Sequence, residues 1–95
     1  MLEFNANNLD ELEAEAKERE YEVSISVVTG VIKALEHNVD KVIIGVLTNV
    51  DLDLTVNRDG YLEALETNLV RCEEAEEYEL CKDAIIWIKK LKSEK

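Results

Sequence analysis

Apolar residues at Tyr21, Ile25, Val28, Ile32, Leu35, Val39, Val42 and Val46 fall 4, 3, 4, 3, 4, 3 and 4 positions apart. This is the spacing of a helical seam. Val27, Val31 and Ala34, then Ile43, Leu47 and Val50, widen the seam into a broad face, and a face that broad is buried against something. As one helix the stretch would be about 45 Å long, whereas a compact chain of this size has a radius of gyration of about 13 Å. The pattern therefore predicts either a break near His37 and Asn38 or a protruding helix covered by a second chain. A strand competes at the start of the stretch, where Tyr21, Val23, Ile25 and Val27 alternate with Glu22, Ser24 and Ser26. Beyond Val28 the alternation stops while the helical spacing continues, which favours the helix.

Ninety-five residues make one domain, 1–95, with a single core. The absence of proline and the presence of only three glycines argue for long helices over many tight turns. The expected fold is thus all-α, a compact helical bundle ending in an antiparallel helical hairpin. An α+β fold, with strands near 21–28 and 52–56, is the alternative.

The flanking segments fit this plan. Asn8 and Glu11 open a first helix as a capping box, with Leu9, Leu12 and Ala16 as a thin apolar stripe among carboxylates. Asp51 to Gly60 is the obvious loop, and Leu52, Leu54 and Val56 alternate within it as a short extended segment. Asn57 or Asp59 is placed to cap the next helix. Leu62, Leu65, Leu69 and Cys72 form one helical row. Tyr78, Cys81, Ile85 and Ile88 form a second in displaced register, so the chain turns near Glu73–Glu77. Leu80, Ala84, Trp87 and Leu91 broaden the last helix, and Lys89, Lys90 and Lys92 complement its C-terminal dipole.

Twenty-two acidic residues against 11 basic give a net charge of −11. Phosphate backbones and anionic membrane surfaces repel such a chain, and no apolar run is long enough to span a bilayer. The N-terminal residues lack the basic and apolar regions of a signal peptide, so a cytoplasmic location is expected. Cys72 and Cys81 form neither a C-x-x-C pair nor a zinc set and read as small buried hydrophobes.

No catalytic constellation emerges. His37, the only histidine, has no nucleophile at a useful spacing, and Gly30, Gly45 and Gly60 are isolated rather than part of a phosphate loop. Gly30 and Gly45 instead mark close helix contacts or local helix weakening. An enzyme is not expected, and no cofactor is implied. The segment from Thr55 to Glu66 resembles an EF-hand calcium loop, with Asn57, Asp59, Gly60 and Glu66 at the family's donor and turn positions. Thr55 replaces the first aspartate and no second loop accompanies it, so this metal site is the weakest alternative.

Two broader resemblances follow. Leu62 to Leu91, with Glu74-Ala75-Glu76-Glu77-Tyr78-Glu79-Leu80-Cys81 at its turn, resembles the helical hairpin of UVR-type interaction motifs. Leu80-Cys81 stands where that family has a small pair, and its arginine–aspartate is missing, so the resemblance implies a hairpin and no particular partner. The short, acidic, proline-free chain as a whole is similar to bacteriophage-encoded accessory proteins, which implies a bacterial host cytoplasm.

The leading expectation is a non-catalytic interaction module, a phage-encoded inhibitor that docks acidic helices on a basic host protein. Its binding residues would be Asp10, Glu11, Glu13, Glu15 and Glu18 on the first helix and Glu73, Glu74, Glu76 and Glu77 at the later turn. The alternative is a structural or scaffolding subunit, a homo-oligomer joined through the seam from Tyr21 to Val46.

Overall fold

In a computed structural model that describes residues 2–94, the chain runs β1 (Leu2–Phe4), α1 (Leu9–Glu18), α2 (Glu20–Glu36), β2 (Lys41–Leu47) and β3 (Leu52–Asn57). A 3-10 turn (Arg58–Gly60) then leads into α3 (Tyr61–Glu74) and α4 (Tyr78–Ser93). β1 pairs parallel with β2, and β2 pairs antiparallel with β3, in the order β1-β2-β3. The fold is α+β, which corrects the all-α expectation. Of the two strands in the α+β alternative, 52–56 is β3, but 21–28 lies inside α2.

The helical seam is real only as far as Leu35. α2 buries Val27, Val28, Val31, Ile32, Ala34 and Leu35 between the sheet and α3. It stops where the break was expected. Asn38 takes the left-handed conformation (φ 53°), its amide donates to the Leu35 carbonyl, and the Val39 amide donates to the Ala34 carbonyl at 2.9 Å. This is a Schellman ending with asparagine in place of glycine.

Past that stop the same apparent spacing belongs to a strand. β2 pairs Val42 with Val56, Gly45 with Leu54 and Leu47 with Leu52, and a bulge lies between Ile43 and Gly45. Val42 and Ile44 pack on the core while Lys41 and Ile43 are exposed, a strand period of two. The intervals Val39–Val42–Val46 match a helical spacing without belonging to a helix. The β-branched run Val42-Ile43-Ile44 was the contrary signal.

Two apolar clusters hold the layers together. The larger joins α2 to Tyr61, Leu65 and Cys72 of α3 and to Cys81 and Ala84 of α4, with Val42, Ile44 and Val56 from the sheet. The smaller lies under α1, where Leu2, Phe4, Ala6 and Leu47 meet Leu12 and Ala16. Gly45 lets β1 approach, because a Cβ there would lie 3.2 Å from the Leu2 carbonyl oxygen and 3.3 Å from Phe4 Cε2. On α4 the inward row is Leu80, Ala84, Trp87 and Leu91, whereas Tyr78 and Ile85 face outward.

Polar ties set the corners. Tyr61, fully buried, donates its hydroxyl to the Val39 carbonyl at 3.1 Å. Arg58 donates to Asp40 at 2.7 Å, so the 3-10 turn is fixed to the entry of β2. Ser24, also buried, donates to Asn68 Oδ1 at 2.9 Å, and Asn68 donates to the Ala64 carbonyl at 2.7 Å. Asn57 and Asp59 do not cap α3, whose N-cap is Gly60 without a side-chain bond.

Candidate protein-interaction surfaces

The acidic residues singled out by sequence fall on two segments, α1 and the α3–α4 turn. Asn8 accepts the Glu11 amide at 2.9 Å, which starts α1 as expected. Glu11 returns to the Asn8 side-chain amide at 3.3 Å rather than to its backbone. The helix lies flat on the small cluster, so Asp10, Glu11, Glu13 and Glu18 face outward.

The joint between α1 and α2 is held by Arg19. Its guanidinium stacks 5.0 Å from the Phe4 ring centroid, donates to the Glu3 carbonyl at 2.7 Å and grips Glu22 at 2.8 Å and Glu15 at 3.2 Å. The hydrogen bonds from Arg19 hold the Glu22 carboxyl below its usual range against an opposing desolvation effect. The bond to Glu22 likewise raises Arg19. Glu15 is thereby engaged internally, and of the first-helix carboxylates it is the one least free to meet a partner.

The second acidic segment follows α3. Glu76 takes φ 61°, the Glu77 amide donates to the Cys72 carbonyl and the Glu76 amide to the Glu73 carbonyl, each at 3.0 Å. This is the same Schellman ending as at Asn38, here on a glutamate. Arg71, one turn before, reaches Glu20 at 3.6 Å. Glu13 and Lys17 of α1, Glu20 and Ser24 of α2, and Asn68 and Arg71 of α3 line one shallow depression. Glu74 sits three residues past Arg71 on the same helical face. The depression is thus bordered by Glu13 of α1 and Glu20 of α2 and interrupted by Lys17 and Arg71.

The eight seam residues do not form one surface. Val28 is fully buried, and Ile32 and Leu35 are covered by the chain's own core. Tyr21 and Val39 are exposed, while Ile25, Val42 and Val46 are half-buried. The long helix that would have carried a coiled-coil interface does not exist. Among the EF-hand-like positions, Asn57 ends β3, Asp59 lies in the 3-10 turn and Glu66 pairs with Lys92 at 3.0 Å. Among the described residues no three His, Cys, Asp or Glu side chains converge as a metal site.

Both thiols are free and buried. Burial, aided by the nearby Cys81 and by Glu77 and Glu73, pushes the Cys72 thiol up to about 11, and burial likewise raises Cys81. Neither is a nucleophile near neutral pH. Among the described residues no helix is long and apolar enough to cross a membrane.

Sequence reasoning missed a second kind of surface, a groove of about 500 Å³ between α2 and β2. Its signal was hidden because β2 read as helix. No protein-family model matches the chain, and neither curated proteins nor solved structures supply a match.

Proposed function

We propose that this protein is a non-catalytic interaction module that binds a basic protein surface through the exposed carboxylates of α1 and of the α3–α4 turn. The observation that supports the reading is the exposure of Asp10, Glu11, Glu13 and Glu18 on α1 and of Glu73, Glu74, Glu76 and Glu77 at the α3–α4 turn. On a chain of charge −11 these exposed carboxylates speed encounter with a cationic partner. An inhibitor encoded by a bacteriophage and acting in a host cytoplasm fits this chemistry, since a carboxylate face competes with nucleic acid for a lysine- and arginine-rich groove.

The test is capture from a bacterial lysate by the immobilised protein and by a Glu13→Lys/Glu73→Lys/Glu74→Lys variant. The expected result is a retained protein that elutes with a salt step and is lost with the variant. Equal retention by the variant, or elution indifferent to salt, overturns the reading.

Self-association is the second reading, favoured by one observation. The outer edge of β3 has no neighbouring strand among the described residues, and Leu52 there is 55 % exposed beside exposed Val50. Unpaired, apolar strand edges recruit further strands. Light scattering decides it: a dimer that Leu52→Lys dissolves supports self-association, and a monomer at all concentrations removes it.

A further inference from the structure

We propose that β3 pairs along its outer edge with β3 of a second copy, antiparallel about a two-fold axis at Thr55, so that two three-stranded sheets join into one. This pairing rests on the self-association reading and gives it a register and an axis.

The ladder with β2 decides which backbone groups of β3 are left over. The Arg58 amide donates to the Asp40 carbonyl at 2.7 Å, so Arg58 and, at every second residue before it, Val56, Leu54 and Leu52 aim their backbone groups at β2. The bulge does not disturb this alternation, because its extra residue, Ile44, lies on β2. Asp53, Thr55 and Asn57 therefore present their amides and carbonyls to the outer edge, where no strand stands among the described residues. All three residues are exposed. An edge of this kind accepts a strand from another chain.

The side chains fix the occupant, because the strand matches itself. A two-fold axis at Thr55 sets Asp53 opposite Asn57 of the second copy, Leu54 opposite Val56, and Thr55 opposite its own counterpart. A carboxylate meets an amide donor, two aliphatic side chains meet on the core side, and two threonines meet on the open side. No like charges are opposed. Three hydrogen-bonded residue pairs supply about six backbone bonds. Moving the axis to Leu54 leaves about four of them, because Asp51, at φ 50°, ends the strand. Moving it to Asp53 sets that carboxylate against its own copy, and moving it to Val56 sets Leu54 against the charged Arg58. Only the axis at Thr55 uses every free group. The contact is isologous, so it closes on two copies at this edge.

Charge sets the salt dependence. Each copy carries −11, and the approach of two is opposed by a long-range repulsion that salt screens beyond a Debye length of about 8 Å. A contact that pairs no opposite charges therefore tightens as salt rises. Carboxylates docking on a basic partner respond in the opposite sense.

The experiment is sedimentation equilibrium of the full chain together with amide hydrogen exchange followed by NMR. A monomer–dimer equilibrium is expected, with a dissociation constant below roughly 1 mM, tighter at about 0.5 M salt than at about 0.05 M. Exchange at the Asp53, Thr55 and Asn57 amides should slow with concentration, while Leu54 and Val56, already bonded to β2, change little. Thr55→Pro removes an outward donor and leaves the ladder with β2 intact. It should weaken the dimer about tenfold or more while the melting curve of the dilute protein stays put. Asn57→Asp gains Lys41 across the ladder within its own copy but faces Asp53 of the second, so it should weaken the dimer without unfolding the monomer, most at low salt. A monomer at all concentrations removes the self-association reading and this pairing together. A dimer that leaves those three amides unprotected, survives both substitutions or loosens with salt overturns the pairing alone and leaves self-association standing on another surface.

Discussion

Two glycine-to-alanine changes, fifteen residues apart, should move stability in opposite directions. Gly30 lies inside α2, where alanine is favoured over glycine by about 1 kcal/mol. A Cβ at that position meets Ile44 and Val42 side chains at 3.5 and 3.6 Å, ordinary contacts that need no adjustment. Gly30→Ala should therefore stabilise by about 1 kcal/mol. At Gly45 the loss of unfolded-state freedom would favour alanine by about 0.5–1 kcal/mol. There, however, the Cβ meets backbone: the Leu2 carbonyl oxygen at 3.2 Å, with Leu2 Cβ and Phe4 Cε2 at 3.3 Å. Overpacking of this kind costs about 1–3 kcal/mol, and a carbonyl in a paired strand has less room to yield than a flexible side chain. The net for Gly45→Ala is a destabilisation of about 1 kcal/mol, so the variants should differ by about 2 kcal/mol, or about 8–16 °C in melting temperature for a domain of this size. Urea and thermal unfolding followed by circular dichroism measure the difference, and hydrogen exchange at Gly45–Leu47 locates it. Equal stabilisation by both changes would refute the reasoning, because β1 could not then lie against Gly45.

Other consequences follow from single contacts. Glu76→Gly should stabilise by about 1 kcal/mol, since glycine takes the left-handed conformation without the Cβ penalty, and chemical denaturation checks it. Tyr61→Phe should cost only about 0.5–1 kcal/mol in the same assay, because the Val39 carbonyl keeps a weak bond from Arg58 at 3.3 Å. In alkali the neutral Cys72 thiol is preferred in the fold, with its pKa raised to about 11 from 9.0. The folded state then holds more protons than the unfolded one, and stability should fall from pH 9 to 11 by about 2–3 kcal/mol. Cys72→Ala should flatten that fall, measured as unfolding free energy against pH. In acid the sign reverses: Glu22 titrates below its usual range, so its contribution, present above about pH 4.5, is lost as pH falls through its lowered folded-state value. Glu22→Gln should remove that part of the acid sensitivity.

The acidic residues and the groove differ in how far a linear sequence can show them. The carboxylates of α1 and of the α3–α4 turn were visible in the sequence, because charge needs no tertiary context to be read. Tertiary context decides which of them are free: Arg19 consumes Glu15 and Glu22, and Arg71 ties Glu20. The groove is the reverse case. Lys33 and Val42 are nine residues apart, on different element types, and line one groove only because the chain reverses at Asn38. A linear reading has no means of pairing them.

That reversal also explains why the helices were legible and the sheet was not. α2, α3 and α4 carry their period in runs of 14 to 17 residues, long enough for the spacing to identify them, and Asn8 marks the start of α1 by a local bond. The strands are 3, 7 and 6 residues long, too short for a period to stand out, and the longest carries a bulge between Ile43 and Gly45. Scarcity of glycine and proline misled for a related reason. The sharp reversals at residues 38, 51 and 76 are made by Asn38, Asp51 and Glu76, all at positive φ, so turns are present without their usual markers. Asparagine and aspartate tolerate that region because their short polar side chains bond locally. Glutamate does not, which makes Glu76 the one reversal that no propensity argument would place there. It is held by the two amide bonds to Cys72 and Glu73. A glutamate kept at this cost keeps a carboxylate at the tip of the acidic turn, where a basic partner would meet it. Glu76→Gly therefore separates stability from binding: it should raise the first and, if the acidic turn is the contact surface, lower the second.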